Sequence, residues 1–179
     1  MKRFVILASI VAFLCSCSIQ KGVYLNSEDK SYNIREYSNY LLFKHKSKIV
    51  LSKDKERFWP ISFEIQLPKR IKSWEAINST NFGFYYRHNQ VIFISTNPFY
   101  TKEPTIDSVF IPSKNEIEKM VDNFETSGHN KWDIKKIGVI KNRKNIVMKK
   151  GNTTILLLNI RNTDFEAYYR LVRSYSRIQ

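Results

Sequence analysis

Beyond residue 17 the chain has no cysteine, because its two cysteines, Cys15 and Cys17, both lie near the amino terminus. A disulfide framework, a thiolate metal cluster and a cysteine nucleophile are thereby excluded from everything downstream. Glycine is also scarce: Gly22, Gly83, Gly128, Gly138 and Gly151 stand singly, so no loop offers the successive backbone amides that cradle a phosphate. That argues against nucleotide binding. Five prolines and five glycines are too few for a disordered or repetitive chain. The three histidines, His45, His88 and His129, are far apart, fall in expected turns and show no metal-ligand spacing. No serine sits in the glycine-flanked elbow that a hydrolase nucleophile requires. The carboxylate pairs Glu116/Glu118 and Asp122/Glu125 fall on the polar side of an expected helix, where solvation and the helix dipole account for them. No catalytic constellation remains, so the expected chain is not an enzyme and carries no cofactor.

What is present begins at residue 1. Met1-Lys2-Arg3 precedes an apolar run from Phe4 to Leu14 that is too short to span a bilayer as a stable helix, and Leu14-Cys15-Ser16-Cys17 follows. This arrangement resembles a bacterial lipoprotein signal peptide, whose lipobox has a leucine three positions before the acceptor cysteine and a small residue directly before it. Leu14, Ser16 and Cys17 fit that pattern. The resemblance implies cleavage after Ser16, a lipidated Cys17 and a membrane anchor; two or more acyl chains, at about 0.8 kcal/mol per buried methylene, make release negligible. Cys15 is the rival acceptor, but Leu14 would then stand where the peptidase needs a small side chain. A plain secretory signal or an anchor helix is the other alternative. Ser18 is not the aspartate that in many such proteins marks inner-membrane retention, which points to the outer membrane, facing the periplasm.

Acids are in deficit as well: 16 Asp and Glu against 30 Lys and Arg give a net charge of +14. Such a balance favours polyanions, and in an envelope these are lipid phosphates, lipopolysaccharide or an acidic protein rather than nucleic acid. The densest basic region runs from Lys131 to Lys150 and includes Lys141, Arg143 and Lys144. It reads either as a binding patch or as the solvated side of two strands.

The organisation expected is a signal peptide over 1–16, a lipidated, polar tether over 17–31 and a single domain over 32–179. Tyr40 to Phe43 and Ile49 to Leu51 suggest a first hairpin, and Ile61 to Leu67 alternates strictly, with Ile61, Phe63, Ile65 and Leu67 on one face. Residues 69–78 are ambiguous between a helical turn and a loop. Phe82 to Tyr86 and Val91 to Ser95 flank a hairpin turn in which Asn89 can take positive φ. Ser113-Lys114-Asn115-Glu116 is a capping box opening a helix with Ile117, Met120, Val121 and Phe124 on its apolar side, stopped by Gly128. Strands are expected over Trp132 to Ile140, Asn145 to Met148 and Thr153 to Ile160. The last is apolar on both faces and so central. A second capping box, Thr163 to Glu166, opens a final helix with Phe165, Tyr168, Tyr169, Val172 and Tyr175 as its stripe. The fold class is α+β, an antiparallel sheet with two helices packed on one face. Element order from a strand ending at Leu67-Pro68, through a Trp74 turn, to the last amphipathic helix is similar to the PsbP-like sandwich, which implies a binding and assembly module without an active site.

Aromatic residues, 12 Phe, 10 Tyr and 3 Trp, supply the core and the best binding candidates. Phe82, Phe84 and Tyr86 share one strand face, so Tyr85 and Arg87 on the other form either an exposed aromatic-basic patch or ordinary cross-strand packing. Phe99 and Tyr100, after Asn97-Pro98, sit in a long loop of the kind that makes contacts. The expected activity is a lipid-anchored binding or assembly module for an envelope partner, the alternatives being an immunity protein against an envelope-acting toxin or an envelope hydrolase.

Overall fold

Aromatic and branched residues at alternate positions build strands, and eleven are present among the described residues, which in this computed structural model are 23–24, 32–46, 62–78, 80–96, 107–124 and 138–178. They are β1 (Val23–Tyr24), β2 (Tyr32–Glu36), β3 (Leu41–His45), β4 (Ser62–Leu67), β5 (Ser73–Asn78), β6 (Asn81–Tyr85), β7 (Val91–Thr96), β8 (Ser108–Phe110), β9 (Lys144–Lys150), β10 (Thr153–Ile160) and β11 (Ser176–Ile178). Helix α1 spans Lys114–Phe124 and α2 spans Phe165–Val172. A seven-stranded sheet has the order β1-β5-β6-β7-β10-β9-β8, and a four-stranded sheet the order β11-β4-β3-β2. All pairings are antiparallel except that of β1 with β5. The class is α+β with two sheets rather than one.

The larger sheet is buried on both faces because its central strands are apolar in both registers. Ile155 and Leu157 of β10 join Phe82, Phe84, Ile92 and Ile94 in one core, which the four-stranded sheet covers with Leu41, Phe43, Phe63, Ile65 and Leu67 and α2 covers with Phe165, Tyr168 and Val172. Leu156 and Leu158, displaced by one residue, point the other way and join Val91, Phe93 and Val147 beneath Ile117 and Val121 of α1. The two helices therefore pack on opposite faces of the sheet, not on one as expected. Each fully buried aromatic or aliphatic side chain stabilises the fold by about 1.5–3 kcal/mol relative to exposure.

The first core is a cluster of rings. Phe43 lies edge-on to Phe84 at 5.0 Å, to Phe82 at 5.6 Å and to Trp74 at 5.7 Å. His45, expected in an exposed turn, is instead buried at the end of β3, with its ring 4.8 Å from that of Phe82. Lys44 is half-exposed on the outer side and pairs with Glu64 across the strands at 2.6 Å. The partner of β3 in its hairpin is β2; the strand expected at Ile49 to Leu51 lies outside the described residues.

Sequence and structure agree at β4, where Phe63, Ile65 and Leu67 are buried in alternation, and at the hairpin of β6 and β7, where Asn89 has φ 57° and His88 also takes φ 61°. They agree at α1: the Ser113 amide donates to the Glu116 carboxylate at 2.7 Å and the Glu116 amide to the Ser113 hydroxyl at 3.3 Å. These hydrogen bonds, the amide first, hold the Glu116 carboxyl below its ordinary pKa. Gly128 lies outside the described residues. β10 is central, flanked by β7 and β9.

Three elements differ. Residues 73–78 form β5, neither a helical turn nor a loop. The final helix ends at Val172, and Ser176–Ile178 pairs with β4; the Ser174 hydroxyl accepts the Gln66 amide at 2.7 Å, and the Lys150 ammonium donates to the carbonyls of Arg173 and Tyr175 at 2.8 and 3.1 Å. Tyr175 stays in the first core although it has left the helix, sharing a 2.6 Å hydrogen bond with Thr153. The second capping box does not form: Asp164 occupies the N-cap and its carboxylate takes the Arg161 guanidinium at 2.7 and 3.2 Å. Of the strand expected over Trp132 to Ile140, residues 138–140 are not strand and the rest lies outside the described residues.

Candidate binding surface

The expected Tyr85–Arg87 patch does not exist as an exposed pair. Tyr85 is 3% exposed and sits in the second core, because β6 is covered on both faces; Arg87 is exposed in the turn that follows. Glu75 explains the orientation of the ring. It stands opposite Gly83 in the β5–β6 ladder, is itself 3% exposed, and receives the Tyr85 hydroxyl as a hydrogen-bond donor. A β-carbon at position 83 would lie 3.0–3.2 Å from the Tyr85 ring and its oxygen, so glycine makes room for the tyrosine to fold back over the ladder. Burial pushes the Glu75 carboxyl pKa up, partly offset by the Tyr85 hydrogen bond, and burial beside that carboxylate pushes the Tyr85 phenol up. A protonated phenol facing an acceptor is the stable arrangement.

Arg87 instead joins the other expected cations. Val91 pairs with Leu158 and Ile160 with Lys144, so the β6–β7 turn, the end of β10 and the start of β9 share one end of the larger sheet. β7 and β9 are separated by two strand spacings, about 10 Å. Arg87, Lys141, Arg143 and Lys144 therefore line one rim, although 54 residues separate Arg87 from Lys141 in the numbering. Lys141 and Lys144 are exposed, Arg143 is half-buried, and none of the four is ion-paired among the described residues. The Lys144 ammonium rests 4.3 Å from the centre of the Phe165 ring.

The rim has a rigid footing that sequence inspection missed. Asn159, fully buried with φ 58°, accepts the Ile140 amide at 2.8 Å, donates to the Gly138 carbonyl at 2.8 Å and gives its own amide to Asn145 at 2.7 Å. It occupies the irregularity between Leu157 and Ile160 in the β9–β10 ladder. Gln90 ties the neighbouring turn in, accepting the Arg161 amide at 2.9 Å and donating to the Arg87 carbonyl at 3.3 Å. The only sequence signal for either was a polar residue beside an apolar strand. Arg161 lies at the same end, but its charge is spent on Asp164, whose carboxyl that contact holds below its ordinary pKa.

Cys17, Phe99 and Tyr100 lie outside the described residues, as do Lys131, Lys135 and Lys136 of the basic run. Among the described residues no group of His, Cys, Asp or Glu is placed to hold a metal ion, and no helix is long and apolar enough to cross a membrane. Glu116 is engaged with Ser113, and Glu118 faces Lys114 at 3.6 Å. No protein-family model, curated protein or solved structure matches the chain.

Proposed function

We propose that the chain is an exported, lipid-anchored, non-catalytic module that holds an anionic envelope partner against the rim formed by Arg87, Lys141, Arg143 and Lys144. The observation that carries the binding reading is the convergence of these cations, none ion-paired among the described residues, on one sheet end from two turns distant in sequence. Leu14, Ser16 and Cys17 support the anchor, and Ser18 supports an outer-membrane, periplasm-facing placement. The anchor concentrates the rim near the membrane, so a modest intrinsic affinity suffices. The PsbP-like sandwich remains a reading of element order, supported by β4 ending at Leu67-Pro68 and by a late amphipathic helix. An immunity protein that blocks an envelope-acting toxin is the same arrangement with a single dedicated partner.

The test is metabolic labelling with an alkyne fatty acid and crosslinking in intact cells, comparing the native chain with Cys17→Ala and with Lys141→Ala/Arg143→Ala/Lys144→Ala. The cysteine variant loses the label and leaves the membrane; the triple variant keeps both and loses its salt-sensitive crosslinks. A labelled Cys17→Ala protein refutes the acceptor, and crosslinks unchanged at low salt in the triple variant refute the rim.

A further inference from the structure

Resting on the binding-module reading and on Cys17 as the lipid acceptor, we infer that the anionic partner of the rim is the bilayer that carries the anchor: the domain stands end-on, with the rim against phosphate-bearing lipid headgroups. The polarity of β1 carries this. Its pairing with β5, Val23 with Glu75 and Tyr24 with Ala76, is the one parallel pairing among the described strands, so β1 enters the sheet from the end where β5 begins. That is the end of the rim. Ser73, at the start of β5, pairs with Tyr85, Tyr85 with Val91 and Val91 with Leu158, and Lys144 of β9 meets β10 two residues further on, at Ile160.

Chain length keeps the anchor close. The tether expected over 17–31 is interrupted by β1, so only residues 18–22 separate Cys17 from Val23, and that span, even fully extended, covers no more than about 20 Å. Width then selects a surface over a small ligand. Lys72 is exposed just before β5, its amide donating to the Tyr85 carbonyl at 2.8 Å, so cations run from β5 through the Arg87 turn to Lys144 on β9. These strands are four spacings apart, about 19 Å. No single phosphate spans that distance. A plane of headgroups meets every cation at once, and each basic side chain near an anionic plane strengthens attachment about fivefold. The acids of this end are mostly engaged: Asp164 accepts from Arg161, and Glu36 faces Lys69 at 2.7 Å, while Glu166 is exposed in the first turn of α2 and subtracts one charge.

Exposed apolar groups at the same end point to lipid as well. Val139, between the two residues held by Asn159, is 36% exposed, and Tyr37 is 40% exposed, stacked on Tyr40 at 4.8 Å in the turn between β2 and β3. Lys69, in the segment that leads into β5, straps that turn to this end through Glu36 and the Ser38 carbonyl. A valine and a tyrosine among cations suit the boundary of headgroups and acyl chains, where an apolar body is buried and a polar tip stays wet. An acyl anchor and a basic patch are together the two signals that hold a domain flush with an anionic membrane. An acidic protein would match the charge, but the membrane lies at this end already, because the anchored chain enters there.

The test uses the full lipidated chain in phosphatidylcholine vesicles with or without phosphatidylglycerol. A thiol-reactive fluorophore is placed at Asn162→Cys, exposed beside the rim, or at Ser176→Cys, exposed next to Tyr175 where it meets Thr153 at the opposite end. A phospholipid with a nitroxide on its headgroup quenches whichever label lies near the surface. With phosphatidylglycerol, quenching at Asn162→Cys should exceed that at Ser176→Cys at least threefold. The excess should vanish at high salt, without phosphatidylglycerol and in Lys141→Ala/Arg143→Ala/Lys144→Ala, and persist in Lys141→Arg/Lys144→Arg. Unchanged thermal melting confirms that the variants fold, and the change of lipid needs no rim variant. Equal quenching at the two positions overturns the inference, as does an excess indifferent to phosphatidylglycerol. A soluble polyglutamate peptide that occupies the rim and is not displaced by phosphatidylglycerol vesicles also overturns it, by making the rim a protein site. Salt-sensitive crosslinks that persist without the quenching excess leave the rim its binding role and remove only the lipid assignment. Fluorophore uptake by the chain without an introduced cysteine shows a free Cys17 thiol, which overturns the anchor and this inference with it.

Discussion

The two faces of the seven-stranded sheet are built by different means. On the face beneath the four-stranded sheet and α2, interlocked rings around Phe43 fill the space, and the packing is apolar apart from a few buried polar groups such as the His45 ring, which lies against Phe82. The face beneath α1 is thinner, formed by Tyr85, Val91, Phe93, Ile117, Val121, Val147, Leu156 and Leu158, and it abuts a buried carboxylate, Glu75, to which the Tyr85 hydroxyl donates. One side carries stability through area, the other carries a polar contact that is costly if left unmade. A sheet of this kind has a structural face and a sensitive face.

The largest expected effect breaks that contrast from the aromatic side. Phe43→Ala should lower unfolding free energy by about 3–5 kcal/mol, since the cavity lies between two sheets that cannot close on it, whereas Val121→Ala on α1 should cost about 1–3 kcal/mol because the helix can shift inward. Urea denaturation measures both; equal losses would mean that the faces are equivalent.

A second, smaller effect sharpens the polar side. Tyr85→Phe leaves a buried carboxylate without its donor and should cost about 1–3 kcal/mol near neutral pH. Glu75→Gln keeps an acceptor for the phenol and removes the charge. The folded-state pKa of Glu75 is raised, so its contribution to stability is fully present below the ordinary carboxyl range and is lost as pH rises through the raised value. Relative to Glu75→Gln, the native chain should therefore weaken on going from acidic to mildly alkaline pH. Denaturation of both at pH 5 and pH 8 reads this directly, and parallel pH profiles would show that Glu75 does not titrate differently in the fold. The smallest effect tests α1 alone: Ser113→Ala removes the cap and should cost about 1 kcal/mol, with hydrogen exchange rising at the helix's first turn and nowhere on the opposite face.

This asymmetry also explains what the sequence reveals. Strand β4 and the α1 cap are legible because each is a local pattern, alternation in one case and a serine three residues before a glutamate in the other. β5 is not, because a glutamate, Glu75, stands in the middle of it, and the strand that brings Tyr85 to that carboxylate is not a local neighbour in the pattern. For the same reason Tyr85 reads as either exposed or packed across the strands, and only the fold decides: a sheet covered on both sides buries consecutive tyrosines, Tyr85 and Tyr86, in opposite directions. β11 escapes notice since Tyr175 continues the helical stripe of α2, and the break is marked by non-local contacts: Ser174 accepts from Gln66 of β4, and Lys150 of β9 donates to the carbonyls of Arg173 and Tyr175. For the surface, the individual cations are visible in the sequence, but their convergence depends on the registers of β7, β10 and β9, which no local pattern encodes.

Asn159 has a mechanical corollary. By splicing residues 138 and 140 onto the central strand through a side-chain amide, it turns the stretch leading into Lys141 and Arg143 into a cantilever fixed at its root. Load applied to those cations passes into β10 and is not absorbed by a hinge, so the charged rim keeps one shape set from its root.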